Sequence, residues 1–178
     1  EYITISSDSE YAYVTLQENN AIATIDLTTK TVVGINGLGF KSYASVGLDA
    51  SDKDSAVKIA PAPVFGMYQP DAIAQVTRGE TTFLFTANEG DAREYGSYVD
   101  VTRNPAAPNG RLNTIVNPAP AGPNTNTAIG SRSLSIFDAK TGALVWDSGT
   151  SLQSIAFAAG TYADNRSDDK GVEPESVI

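Results

Sequence analysis

Three short stretches concentrate the side chains that could do chemistry, and in each the chemistry is that of hard oxygen ligands. Asp49, Asp52 and Asp54 stand in Asp49-Ala50-Ser51-Asp52-Lys53-Asp54-Ser55. Glu89 and Asp91 flank Gly90 in Asn88-Glu89-Gly90-Asp91-Ala92-Arg93-Glu94-Tyr95. Asp168, Asp169, Glu173 and Glu175 close a run that opens at Asp164. Carboxylates spaced along a turning loop suit calcium, which takes about six to eight oxygens from carboxylates and carbonyls. The first stretch lacks the Gly and the closing Glu of an EF-hand, and it reads alternatively as a solvated acidic loop capping its own backbone. The second reads equally as an ion-pair network that pins the loop after it. In the third, neighbouring carboxylates repel unless Arg166, Lys170 or a bound divalent ion neutralises them. Calcium is therefore the expected cofactor, with another divalent metal as the variant. Arg93, Arg132 and Arg166 are the candidate anion-binding groups, because the planar guanidinium fork matches phosphate and carboxylate. Arg132, at the start of a strand, is alternatively an ordinary strand-edge residue.

What the chain lacks narrows its chemistry further. Its 178 residues contain no His and no Cys, so Ser-His-Asp catalysis, thiolate chemistry and the usual zinc ligands are excluded. Any catalysis rests on carboxylates, Arg, Lys, Tyr or hydroxyls, and no catalytic residue is assigned. The formal net charge of −9 repels nucleic acid and anionic membranes, so neither is an expected partner. No apolar run approaches the roughly 20 residues that a spanning helix needs.

The elements that must position these loops are strands. Runs with period-2 alternation, rich in Val, Ile, Thr, Tyr and Phe, are separated by turn residues such as Thr28-Thr29-Lys30, Arg78-Gly79-Glu80 and Lys140-Thr141-Gly142. No segment shows a sustained helical period. The pattern repeats. Glu1-Tyr2-Ile3 matches Asp71-Ala72-Ile73 and Glu175-Ser176-Val177; Tyr11–Thr15 matches Thr82–Thr86, placing Glu18 opposite Glu89. Ile22-Ala23-Thr24-Ile25-Asp26 with Thr29 matches Leu134-Ser135-Ile136-Phe137-Asp138 with Thr141.

Four short antiparallel strands in tandem predict an all-β fold: two four-stranded β-propeller blades plus the first strand of a third, a fragment of a larger propeller. The expected units are a blade at 1–69, a blade at 70–173 and an opening strand at 174–178. An open β-sandwich is the alternative. In an up-and-down meander the short turns share one side of each blade. The long segments 36–69, about 90–131 and 148–173 then fall together on the other, with the acidic stretches in them. The Pro- and Asn-rich stretches 104–110 and 117–123 predict irregular coil within the insertion. Two blades cannot close a ring, so the remaining blades of a parent chain are expected partners.

Longer motifs carry a family resemblance. Tyr13–Ile22, Gly47–Asp52, Gly66–Ile73, Ala87–Tyr95, Gly130–Ser133 and Arg166–Gly171 together resemble the choice-of-anchor I proteins. These are secreted or surface-anchored bacterial propellers related to the mesenchyme-specific cell-surface glycoproteins of biomineralising animals. The chain departs from the family pattern at Pro174-Glu175-Ser176, where members usually carry Pro-Glu-Gly. The resemblance implies an extracellular, secreted or cell-surface location and a larger parent protein. With the acidic face, it leads to an expected surface or matrix module that binds calcium and meets a surface polymer, a protein partner or its own copies. Because some members are labelled alkaline phosphatase-like, the alternative is a metal-dependent phosphoric monoester hydrolase. In that reading Glu89, Asp91, Glu173 and Glu175 hold metal, and Arg93 or Arg132 holds phosphate.

Overall fold

The computed structural model describes residues 2–116 and 126–178; the stretch 117–123 expected as coil lies outside them. Strands β1 (Ile3–Ile5), β2 (Tyr11–Leu16), β3 (Ala21–Asp26) and β4 (Thr31–Gly37) form an antiparallel meander in sequence order. β5 (Phe40–Ser42) and β6 (Phe65–Met67) lie in the long connection that follows. β7 (Ala72–Arg78) and β8 (Thr81–Asn88) begin a second sheet. An insertion carrying β9 (Val101–Arg103), β10 (Asn113–Ile115) and β11 (Thr127–Ala128) interrupts it before β12 (Ser133–Asp138) and β13 (Leu144–Asp147) complete it. The second sheet has the order β7-β8-β12-β13, again a meander.

The two sheets repeat in detail. Each third strand ends in an Asp whose Oδ1 accepts from a backbone N–H three residues on: Thr29 N to Asp26 and Thr141 N to Asp138, both at 2.8 Å. That side-chain bond stands in for a backbone turn bond and fixes the hairpin. Each outer ladder shifts at the same place, between Thr24 and Ile25 in one sheet and Ile136 and Phe137 in the other. A shared bulge of this kind marks a designed feature and not a defect.

The ladders also correct the repeat alignment. Ile25 faces Ala12, and its counterpart Phe137 faces Leu84. Ala12 therefore corresponds to Leu84, one residue away from the match of Tyr11–Thr15 with Thr82–Thr86, and Gln17, not Glu18, corresponds to Glu89. A one-residue slip exchanges the two faces of a strand. In the corrected register Tyr13 corresponds to Phe85, not to Leu84.

The sheets pack face to face. Tyr13 and Ile22 of the first sheet, with Leu38 just beyond it, bury against Ile73, Leu84 and Phe137 of the second. Tyr68 meets Phe137 edge-on at 5.3 Å between ring centres, a favoured aromatic geometry. β1 runs beside β7, and Thr15 Oγ1 donates across the junction to Asp71 O at 3.3 Å.

The long segments build a second layer with its own core of Tyr43, Leu48, Val64, Leu112 and Ala128. There β6 pairs with β5 and, in parallel, with β11. Around the stretch 104–110, expected as irregular coil and closed by a 3₁₀ turn at Pro108–Gly110, β9 and β10 form an antiparallel pair. One expectation is corrected, for a helix exists, α1 (Ser151–Ala158). Its pattern is the reverse of the usual amphipathic one: Ile155 and Phe157 are exposed while Gln153 is fully buried, so no apolar stripe announces it. Residues 174–178, expected to open a strand, pair with no strand among the described residues. No helix among the described residues is long and apolar enough to cross a membrane.

Candidate metal centre

Arg132 organises the acidic layer. It is 1% exposed, and its guanidinium donates to three backbone carbonyls: Nη1 to Asp49 O at 2.6 Å, Nη2 to Ser167 O at 2.8 Å and to Asp169 O at 3.1 Å. One side chain thus clamps the first acidic stretch to the third. The backbone packs closely against it, because a Cβ on Gly171 would stand 2.6 Å from the guanidinium carbon, and Gly171 has φ +66°. Only glycine accepts both conditions at no cost. Arg132 was expected to bind an anion; its fork is taken up by carbonyls.

The clamp brings Asp49, Asp54 and Asp164 together, one carboxylate oxygen of each lying within 4.8 Å of the others. Asp49 is fully buried. Its Oδ2 accepts from Ser167 Oγ at 3.0 Å and its Oδ1 from Ser51 N at 3.4 Å. Both Asp54 oxygens are shut off from solvent with no hydrogen bond, as is Oδ1 of Asp164. Lys58 Nζ, on a side chain 57% exposed, forms an ion pair with Asp54 Oδ2 at 3.0 Å, while Asp54 Oδ1 has no hydrogen-bond partner. Burial, then the charges of Asp49 and Asp54, push the Asp164 carboxyl above its ordinary range. Buried carboxylate oxygens with nothing donating to them are costly. A hard cation, satisfied by oxygen ligands alone, fits this donor set.

Gln153 adds to the misfit. Its amide meets the same loop, with Oε1 3.5 Å from Asp49 N, and its buried Nε2 has no acceptor.

A second group, Asp71, Glu89 and Glu175, also gathers within 4.8 Å. It differs in its counter-charge, a lysine 16% exposed where Lys58 is 57% exposed. Lys170 Nζ donates to Glu89 Oε1 at 2.6 Å and lies 3.5 Å from Asp91, while Gln17 Nε2 donates to Glu89 Oε2 at 2.9 Å. Burial followed by the Glu89 charge raises the Asp71 carboxyl, and the Glu89 charge followed by burial raises Glu175. Gly90 lets the chain leave β8 here, since a Cβ on it would fall 2.3 Å from Gly130.

The remaining sequence-selected residues go elsewhere. Asp52 takes both arms of Arg111, at 2.8 and 2.9 Å, which holds its carboxyl far below the ordinary range. Asp168 accepts from Arg103 Nη2 at 2.6 Å. Glu173 accepts from Arg166 Nε at 2.6 Å, and Arg93 Nε donates to buried Asp100 at 3.1 Å. Asp169 contributes its carbonyl to Arg132, and Asp91 is half-exposed. The nine expected metal ligands are thus divided: Asp49 and Asp54 in one group, Glu89 and Glu175 in the other, and Asp52, Asp91, Asp168, Asp169 and Glu173 in neither. Asp164 and Asp71, each completing a group, were not selected from the sequence. Asp71 carried one signal, an acid at the same point of the repeat as Glu1 and Glu175.

A family model described as "Choice-of-anchor I domain" matches residues 1–128 and 121–178. No curated protein and no solved structure matches the chain.

Proposed function

Because the chain belongs to the choice-of-anchor I domain family, typical of secreted and surface proteins, we propose that it is a calcium-binding module of the cell surface or extracellular matrix. In this reading its sheets are two neighbouring blades of a β-propeller. The repeated meander, the shared bulge and the side-by-side first strands β1 and β7 support the blades. The loop layer binds calcium through Asp49, Asp54 and Asp164 and presents an acidic surface to a polymer or protein partner. The observation that carries the calcium reading is the set of solvent-shielded oxygens on Asp54 and Asp164 that accept no hydrogen bond, gathered beside a fully buried Asp49. Binding is favoured over phosphomonoester hydrolysis because the three arginines considered for phosphate already serve carbonyls and carboxylates within the chain.

The test is a thermal melt in chelator, repeated after calcium is restored. At a hundredfold excess over Kd, linked binding adds about 2.7 kcal/mol, roughly 5–10 °C for a chain of this size. No shift refutes the calcium reading. Asp164→Asn is expected to act in opposite directions in the two arms: it raises the melting temperature in chelator, by removing a like charge, and abolishes most of the calcium gain. The pH sign follows from the raised Asp164 carboxyl. The folded state holds that proton longer than the unfolded chain, so the group costs stability as pH rises from about 4 through its raised value. The advantage of Asp164→Asn in chelator therefore grows from pH 4 towards 7. A pH-independent difference contradicts the assignment.

A further inference from the structure

The core between the two sheets does not fill the whole junction. Twisted sheets that meet face to face splay apart away from their line of contact. Here, beyond Tyr13 and Phe137, they leave a cleft of about 700 Å³, within the ~300–1,000 Å³ of ligand-binding clefts. The first sheet supplies its floor, and the turn residues 80–82 and 138–140 of the second sheet supply the facing wall. The cleft therefore lies inside the pair of sheets and not on either of their outward faces. No residue of the acidic stretches 49–54 and 164–175 lines it.

The floor is one face of the first sheet, since the pairings Tyr13–Thr24, Thr24–Gly34 and Ile22–Asn36 set Tyr13, Thr24, Gly34 and Asn36 on the same side. Gly34 leaves a gap in that floor. A Cβ built on it would meet nothing within 4 Å, and its backbone is not in the left-handed region that calls for glycine. What the missing side chain provides is space. The wall rests on the floor at Asn36, because a Cβ on Gly142, at φ +70°, would stand 2.7 Å from Asn36 Cβ.

The polar groups that line this space are unspent. Among the described residues no group donates to or accepts from the side chains of Thr24, Asn36 and Glu80. Tyr11, packed on the core, adds an aromatic ring with a hydroxyl. These groups mix donors with acceptors beside apolar surface. An anion would meet Glu80 and Asp138 against Lys140 alone. A wholly apolar ligand would leave the half-buried Asn36 amide unpaired. The ligand that matches carries hydroxyls, each donor and acceptor at once, on a ring with apolar faces, and no net charge.

We propose that the cleft between the two sheets binds a neutral saccharide. Val33, Glu80 and Lys140 on its lining are exposed, so the cleft is open to solvent and accepts either a free sugar or one segment of a longer glycan. The inference goes beyond the calcium reading and rests neither on it nor on the blade reading.

The experiment is saturation-transfer NMR of the whole chain with neutral hexasaccharides of glucose, mannose, galactose and N-acetylglucosamine, each beside its monosaccharide. A galacturonate hexasaccharide and trilysine serve as the anionic and cationic counterparts. At least one neutral saccharide is expected to bind, and more tightly than either charged probe. Binding by the hexasaccharide alone identifies a glycan segment as the ligand, and equal binding by the monosaccharide identifies a single sugar unit. Gly34→Leu, which fills the gap in the floor, is expected to abolish the signal while melting no lower than the parent chain. Asn36→Ala keeps the Cβ that meets the turn and is expected to weaken binding about threefold to tenfold. Absence of binding by every neutral saccharide, tighter binding of a charged probe, or full binding by both variants overturns the proposal.

Discussion

Arg132→Ala is expected to cost about 3–5 kcal/mol and to release the acidic layer as a unit. The side chain is buried, and each carbonyl it serves, of Asp49, Ser167 and Asp169, sits on a loop and not in a ladder. Removing the guanidinium leaves buried acceptors unpaired, each worth about 1–3 kcal/mol, and a void in the packing that Gly171 was shaped to accept. A lysine lacks the planar fork that spans several carbonyls, so Arg132→Lys is expected to recover less than half of the loss. Melting should fall by roughly 10 °C. Because the same arginine brings the Asp49 and Asp164 segments together, calcium affinity should fall with it. A melt within about 2 °C of the parent's would show that the clamp carries little of this energy.

Lys41→Ala is expected to be comparably severe, at about 3–5 kcal/mol. Lys41 is 5% exposed and sits where β5 meets the second sheet, 3.0 Å from Asp147 Oδ1 and donating to Ser131 O and Gly149 O at 3.0 and 2.7 Å. Burial pulls its pKa down while the Asp147 charge pulls it back. Asp147 Oδ2 in turn accepts from Ser133 and Ser135 at 2.6 and 2.7 Å. Truncating the lysine leaves a mostly buried carboxylate, 13% exposed, without its counter-charge, and the cost lies there more than in the lost attraction. The double variant Lys41→Met, Asp147→Asn should therefore recover a substantial part of the loss in a denaturant melt. An additive double variant would mean that the two side chains act independently.

The strands were readable because their signals are local. Alternation and turn residues such as Asp26 with Thr29 sit within a few positions of one another, and the two sheets carry them twice. The one-residue slip between β2 and β8 arose because Thr82–Thr86 and Phe83–Ala87 both alternate acceptably, and only the ladder partner selects between them. Helix α1 was hidden by a buried Gln153 among exposed apolar residues. The acidic stretches were visible as charge, but which carboxylates meet was not. That depends on basic residues far away in sequence: Arg111 withdraws Asp52, Arg103 withdraws Asp168, and Lys170 occupies Glu89. Asp164 meets Asp49 across more than a hundred residues, a proximity set by the Arg132 clamp.

The most direct test of the calcium assignment is a calorimetric titration of calcium into the chain and into two single variants, Asp164→Asn and Glu175→Gln. The account predicts binding by the parent chain, an affinity at least about tenfold weaker in Asp164→Asn, and an unchanged affinity in Glu175→Gln. Binding that survives Asp164→Asn but is lost in Glu175→Gln, or no binding by the parent at all, would contradict it.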